Sequence, residues 1–191
     1  MNPEHVLQLF RDTNALLEGH FQYTSGRHGR QFLQAARLMQ YPKYTDGLCE
    51  AMADRFRADG IDLVVGPATG GIALAHETAR HLGCRFAYSE KDGEGGMAVK
   101  RGFANPAGSR ALVVEDIITT GGSVQKTVEH LIARGAEVMG VCVIIDRSGG
   151  KAQFDCRFEA LARIDMESWA PEACALCQQG LPLIEPDDIT L

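Results

Sequence analysis

No apolar run in this chain approaches the ~18 residues of a membrane span, so no membrane partner is expected. Basic charge is also short. Nineteen Lys and Arg stand against 25 Asp and Glu, a net charge of −6. Non-specific nucleic-acid binding needs a basic surface, so no nucleic-acid partner is expected either. A local basic pocket for a phosphate ligand is still compatible with this balance. The opening residues 1–12 carry acids and lack a basic flank ahead of an apolar core, so no signal peptide is expected. No G-x-x-x-x-G-K-[ST] occurs, hence no P-loop lysine. The six cysteines are scattered, as reduced thiols of a cytoplasmic protein would be. Two of them form Cys174-x-x-Cys177. A zinc site would want a second pair, or histidines at ligand spacing, and the sequence offers neither. A redox pair would sit near the start of a βαβ unit, whereas this one lies in the tail. The expectation is two structural thiols near a turn and no protein-held metal.

What is present fits one α/β domain of 191 residues with irregular ends. Residues 3–17 read as a helix, with Pro3 near its start and Val6, Phe10 and Leu17 roughly on one face. A short strand or hairpin fits the turn-rich stretch that follows. Residues 45–59 return to helix, stopped by Gly60. Strands and helices then alternate: strand 63–68, helix 71–82, strand 85–91, a polar glycine-rich loop over 92–96, strand 111–117, helix 123–134, strand 137–146. The last strand is almost continuously apolar, as expected when helices cover both sheet faces. This alternation predicts right-handed crossovers and a mostly parallel central sheet.

The most informative stretch runs from Ala111 to Gly135. A buried strand delivers Glu115 and Asp116 at its carboxyl end, where ligands bind in open α/β sheets. Ile117–Gly122 then turns into a helix starting near Ser123. Gly121 and Gly122 permit close backbone approach. The helix N-terminus offers unpaired N–H groups to an anion, and Thr119, Thr120 and Ser123 add hydroxyls. Carboxylates beside a phosphate need another partner. Ribose hydroxyls, or a Mg²⁺ bridging hydroxyls and diphosphate, would serve. Acid pair plus cradle points to a sugar phosphate. Simple helix capping would need Ser123 alone and would leave the acids unexplained. Gly93–Ala98 fits the loose dinucleotide pattern by spacing, but little room remains for the helix that pattern must open.

These residues, Val113 to Ser123, resemble the motif of type I phosphoribosyltransferases that binds 5-phosphoribosyl-1-diphosphate (PRPP). The likeness extends over nearly the whole chain. It is nearest the orotate-using branch, through residues 19–28, 66–71, 93–96, 145–147 and 171–183. The resemblance implies a single phosphoribosyltransferase domain over 1–191. Residues 60–165 would form the core sheet, and residues 1–40 with the tail a small N-terminal hood. It implies that Glu115 and Asp116 hold the ribose, and that Thr119–Ser123, behind Ile117 and Ile118, wraps the 5-phosphate. Ala68, Thr69, Gly70 and Gly71 would lie beside the diphosphate. Thr119, Arg147 and Phe32 would contact orotate, Arg147 being suited to grip its carboxylate. Mg²⁺ would be bound mainly through PRPP. A mobile loop over 89–103 would bring Lys91, Lys100 and Arg101 to the diphosphate, across the subunit boundary of a homodimer. That loop is shorter than the family's, and Thr24 stands where a lysine is expected. Two alternatives belong beside orotate transfer: a purine as the accepting base, or a PRPP-sensing regulator without catalysis.

Overall fold

In the computed structural model, residues 1–23 and 25–185 are described; Thr24 lies outside them. The elements are helix α1 (Pro3–Asp12), strands β1 (Leu16–Gln22) and β2 (His28–Leu33), helices α2 (Ala35–Met39) and α3 (Pro42–Phe56), strand β3 (Leu63–Pro67), helix α4 (Gly71–Leu82), strands β4 (Arg85–Lys91), β5 (Met97–Val99) and β6 (Arg110–Ile118), helix α5 (Gly122–Ala133), strands β7 (Glu137–Asp146), β8 (Arg157–Arg163) and β9 (Ser168–Trp169), and helix α6 (Ala175–Gln178).

The main sheet has the order β5-β4-β3-β6-β7-β8. All its pairings are parallel except the β4–β5 hairpin at the edge. Its strands alternate between two apolar layers. Val64, Leu112, Val114 and Ile144 pack on the side of α1, α3 and α4. Leu63, Val65, Val113 and Val143 pack on the side of α5. The two-residue period of a strand thus fills two cores at once, which is why these strands read as unbroken apolar runs. A second, smaller sheet, β1-β2-β9, is antiparallel and is termed the hood.

Several sequence expectations need correction. The first helix stops at Asp12 rather than reaching residue 17. Asn14 takes a left-handed conformation at φ 52°, and the Ala15 amide donates to the Phe10 carbonyl at 2.7 Å, a left-handed helix ending. Leu16 and Leu17 then open β1, paired with Leu33 and Phe32. The polar sequence Asp12-Thr13-Asn14 carried the stop signal. Residues 89–103 are largely a hairpin: β4 and β5 pair from Ser89–Val99 to Lys91–Met97. Phe103 closes its base, edge-on to Phe86 and Tyr88. Residues 93–96 form the hairpin's turn and open no helix, which disposes of the dinucleotide pattern. β8, unassigned in the sequence, extends the sheet beside β7.

The tail is also tied in. Ser168 and Trp169 pair with Gly29 and His28, and Ile184 exchanges backbone hydrogen bonds with His20 and Gln22. The Cys174 and Cys177 thiols therefore do not sit alone near a turn, and histidines do stand beside them.

Candidate active site

Two neighbouring cavities open at the carboxyl end of the main sheet. The smaller, about 120 Å³, is lined by Glu115, Ile117–Ser123 and Val124. The larger, about 1000 Å³, lies between the sheet and the hood and reaches Phe32, Thr69, Gly70, Asp116, Thr119 and Arg147.

The small cavity is a product of how β6 ends. Gly121 stands at the N-cap of α5 in a left-handed conformation, φ 76°, which only glycine adopts without strain. Glycine has no side chain to cap the helix, so the amides of the first turn face the cavity without a side-chain partner. They and the helix dipole favour an anion. A Cβ on Gly121 would also come 3.0 Å from Phe154 Cζ.

Glu115 and Asp116 are consecutive in a strand and project to opposite sides. Glu115 lines the small cavity and Asp116 the large one. The Asp116 carboxylate lies against Gly70, where an added Cβ would fall 2.6 Å from Oδ2. The Ala68–Gly71 loop and the acid pair therefore meet at a point with no room for another side chain. The Ala68–Thr69 peptide in that loop is cis. Thr69 and Gly70 face the large cavity, whereas Ala68 and Gly71 lie behind them.

Burial, and secondly the Asp116 charge, push the Glu115 carboxyl up to about 9. Burial raises Asp116 as well, against the pull of the Ile117 amide, which donates to Oδ1 at 2.6 Å. Among the described residues no Lys or Arg forms an ion pair with either acid. A ligand that brings hydroxyl donors or a cation would relieve both.

Arg147 follows β7, and its amide donates to the Ile118 carbonyl at 3.0 Å. That bond continues the β6–β7 ladder and sets Arg147 beside Thr119. Asp146 braces the turn: it accepts from the Ser148 amide at 2.8 Å and pairs with Arg163 at 3.4 Å. The Arg147 guanidinium stacks 4.7 Å over the Tyr23 ring, a cation–π contact that restrains its orientation. Phe32 forms the apolar side of the cavity, 5.7 Å from Phe21 between centroids.

Tyr23, Gln34 and Ser168 also line the large cavity, and sequence reasoning missed them. Nothing local marks Tyr23. Its hydroxyl donates to the Gln31 carbonyl at 2.6 Å across the hairpin, and that pairing turns the ring toward Arg147. Burial raises the Tyr23 phenol while Arg147 pulls it down.

Lys91, Lys100 and Arg101 line neither cavity of this chain. Lys100 Nζ donates to the Lys91 carbonyl at 2.9 Å, and Arg101 pairs with Glu90 at 3.1 Å. All three sit on the β4–β5 hairpin and its exit.

The phosphoribosyl transferase domain family matches residues 35–167, the segment that carries the main sheet, the small cavity and the sheet side of the large one. The chain belongs to the phosphoribosyltransferase family. Among relatives in this family, an orotate phosphoribosyltransferase of Desulforamulus reducens is 45% identical over 186 residues, 97% of each chain. One from Thermus thermophilus is 46% identical over 180 residues, 94% of this chain and 98% of that one. The crystal structure of orotate phosphoribosyltransferase from Aeropyrum pernix superposes with a TM-score of 0.70 at 26% identity, covering 83% of this chain and 93% of its own. The family match stops short of the small sheet on both sides, whereas the two sequence relatives align over 94–97% of the chain.

Proposed function

We propose that this family member is an orotate phosphoribosyltransferase, working as one unit over residues 1–191. The observation that carries the reading is Arg147. A fixed guanidinium stands on the wall of the large cavity beside Thr119, on the same cavity as Asp116 and the Thr69–Gly70 loop. A base that bears a carboxylate gains from such a group through a two-point charged hydrogen bond; a plain purine does not. The relatives named orotate phosphoribosyltransferase at 45% and 46% identity support the same base.

In this reading the α5 N-terminus and Thr119–Ser123 hold the 5-phosphate of PRPP. Asp116 and Glu115 accept hydrogen bonds from the ribose hydroxyls, and Thr69 and Gly70 run beside the diphosphate. Arg147 and Phe32 orient orotate so that N1 faces C1 of the ribose. The C1–N1 bond forms as the C1–O bond breaks. Diphosphate leaves with the bonding pair, N1 gives up its proton, and orotidine 5′-monophosphate remains. Placement of the two reactants removes much of the entropic part of the barrier.

Mg²⁺ fits these residues. A buried Glu115 and a half-buried Asp116, both with raised pKa and no cationic partner among the described residues, suit a hydrated divalent ion reached through the ribose hydroxyls. Bound with PRPP, the ion would neutralise charge on the leaving diphosphate. Lys91, Lys100 and Arg101 would supply further positive charge from the hairpin of the second subunit in a homodimer. That they line neither of this chain's own two cavities supports that exchange.

The test is a base-specificity assay with PRPP, Mg²⁺ and orotate or purines, following orotate absorbance, on the wild type and Arg147→Ala. The variant should lose about 100-fold in kcat/KM for orotate, near the upper end for a hydrogen bond to a charged group. The KM for PRPP should stay within about twofold. Equal effects on both substrates would remove orotate from the site. PRPP binding without turnover in the wild type would favour a sensor.

A further inference from the structure

We propose that His20, His28, Cys174 and Cys177 form a structural zinc site that fastens the tail to the hood. The four donor atoms all lie within 4.8 Å of one another, although the two pairs are some 150 residues apart in sequence. His20 Nε2 is 3.3 Å from His28 Nδ1, 3.4 Å from Cys174 Sγ and 3.6 Å from Cys177 Sγ. His28 Nδ1 is 3.2 Å from Cys177 Sγ. A tetrahedral zinc with ordinary Zn–N and Zn–S bonds would put nitrogens about 3.3 Å apart and nitrogen and sulfur about 3.6 Å apart. These four edges fall within about 0.4 Å of that tetrahedron, and the other two lie under the 4.8 Å bound.

The outer contacts agree. His20 Nδ1 is 3.0 Å from the Leu181 carbonyl. A carbonyl can only accept, so Nδ1 carries the proton and Nε2 turns its lone pair to the centre, as in metal-bound histidines. His20, His28 and Cys174 are 3%, 6% and 0% exposed. Three buried donors, with Cys177 closing the fourth position from the exposed side, leave no cleft for substrate and suit a structural rather than a catalytic ion. Two thiolates would balance the divalent charge, and two-sulfur, two-nitrogen tetrahedral sets favour zinc over magnesium or calcium. Binding releases the two thiol protons to solvent.

The consequence is mechanical. His20 lies in β1 and His28 in β2, while the cysteines flank and belong to α6. β2 runs on to Phe32 in the large cavity. An ion at this centre would hold the hood hairpin and the tail as one piece over that cavity.

The experiment is metal analysis of the intact protein after dialysis against metal-free buffer, with cobalt substitution as a second readout. The expected result is about one zinc per chain, falling several-fold in Cys177→Ser and Cys174→Ala but not in Cys156→Ser. Cobalt should give the strong visible bands of a tetrahedral thiolate site. Cys177 is exposed, so its serine variant leaves the packing intact. Should a variant fail to fold, the wild-type cobalt spectrum still decides. Metal-free wild type that takes up neither zinc nor cobalt, a Cys174–Cys177 disulfide by mass, or zinc retained by both cysteine variants would each overturn the proposal.

Discussion

The proposed phosphate cradle and the hood are built in opposite ways. The cradle comes from one unbroken stretch, Glu115–Ser123, in which a strand, a turn and a helix follow each other without a gap. The hood gathers His20, Tyr23, His28, Phe32, Ser168 and the two tail cysteines from both ends of the chain. In the first, covalent continuity fixes which atoms meet. In the second, only sheet pairing and burial do. A contiguous site can be read from local chemistry, whereas a gathered one depends on the whole fold being right.

That contrast can be broken at several places. The largest effect on stability should come from the shared support. Leu112→Ala removes a fully buried side chain from the central strand and should cost about 2–5 kcal/mol in a denaturant titration. If the hood were independent of the sheet, two transitions would appear instead of one shifted transition.

Asp116→Asn should act on chemistry and leave the fold standing. It keeps the shape beside Gly70 but halves the hydrogen-bond acceptance toward ribose. A loss of about 100- to 1000-fold in kcat/KM is expected, some 3–4 kcal/mol. Unchanged turnover would show that the acid pair does not hold the sugar.

Glu115→Gln separates stability from function by its pH dependence. Folding raises this carboxyl from 4.5 to about 9. Below pH 4.5 both folded and unfolded chains are protonated and the group is neutral to stability. As pH rises, the unfolded chain ionises while the folded one resists, so stability falls until the folded group itself ionises near pH 9. Glutamine cannot ionise and escapes this penalty. The Tm advantage of the variant without ligand should therefore grow from pH 5 to pH 8, by about 2–4 °C for each kcal/mol recovered. A constant difference would mean that Glu115 titrates normally.

The smallest effect on stability belongs to the hairpin. Lys91 is exposed at the end of β4, and Lys91→Ala should shift unfolding by less than about 0.5 kcal/mol. Its kcat should nonetheless drop if the hairpin serves a second subunit. Mixing this variant with one that lacks Asp116 should restore about a quarter of the wild-type rate per site through hybrid dimers, an order-of-magnitude expectation from random pairing.

Most of the main sheet was legible because its strands are buried on both faces and its helices end at glycine. Helix 71–82 and strands 85–91 and 137–146 fall where their periodicity predicts. The acid pair, the Thr119–Ser123 turn, Thr69, Gly70, Phe32 and Arg147 were legible as well, and all line the cavities. β1 was absorbed into the first helix because Leu16 and Leu17 continue an apolar spacing, while the left-handed Asn14 that ends the helix is a backbone event. β8 was missed because an edge strand with Arg157, Glu159 and Arg163 lacks the apolar run of its neighbours. Tyr23 left no signal at all.

By itself the sequence determined the Glu115–Ser123 turn proposed to hold the sugar phosphate, since two acids, a left-handed glycine and a helix start are joined by bonds and can meet in few other ways. Tertiary structure alone decided that Arg147 stacks on Tyr23, that Lys100 and Arg101 are held by Lys91 and Glu90 of their own hairpin, and that His20 and His28 meet Cys174 and Cys177. The physical reason is the same in each case. Contacts between distant segments are set by strand pairing and burial, to which every part of the chain contributes and which no local spacing encodes.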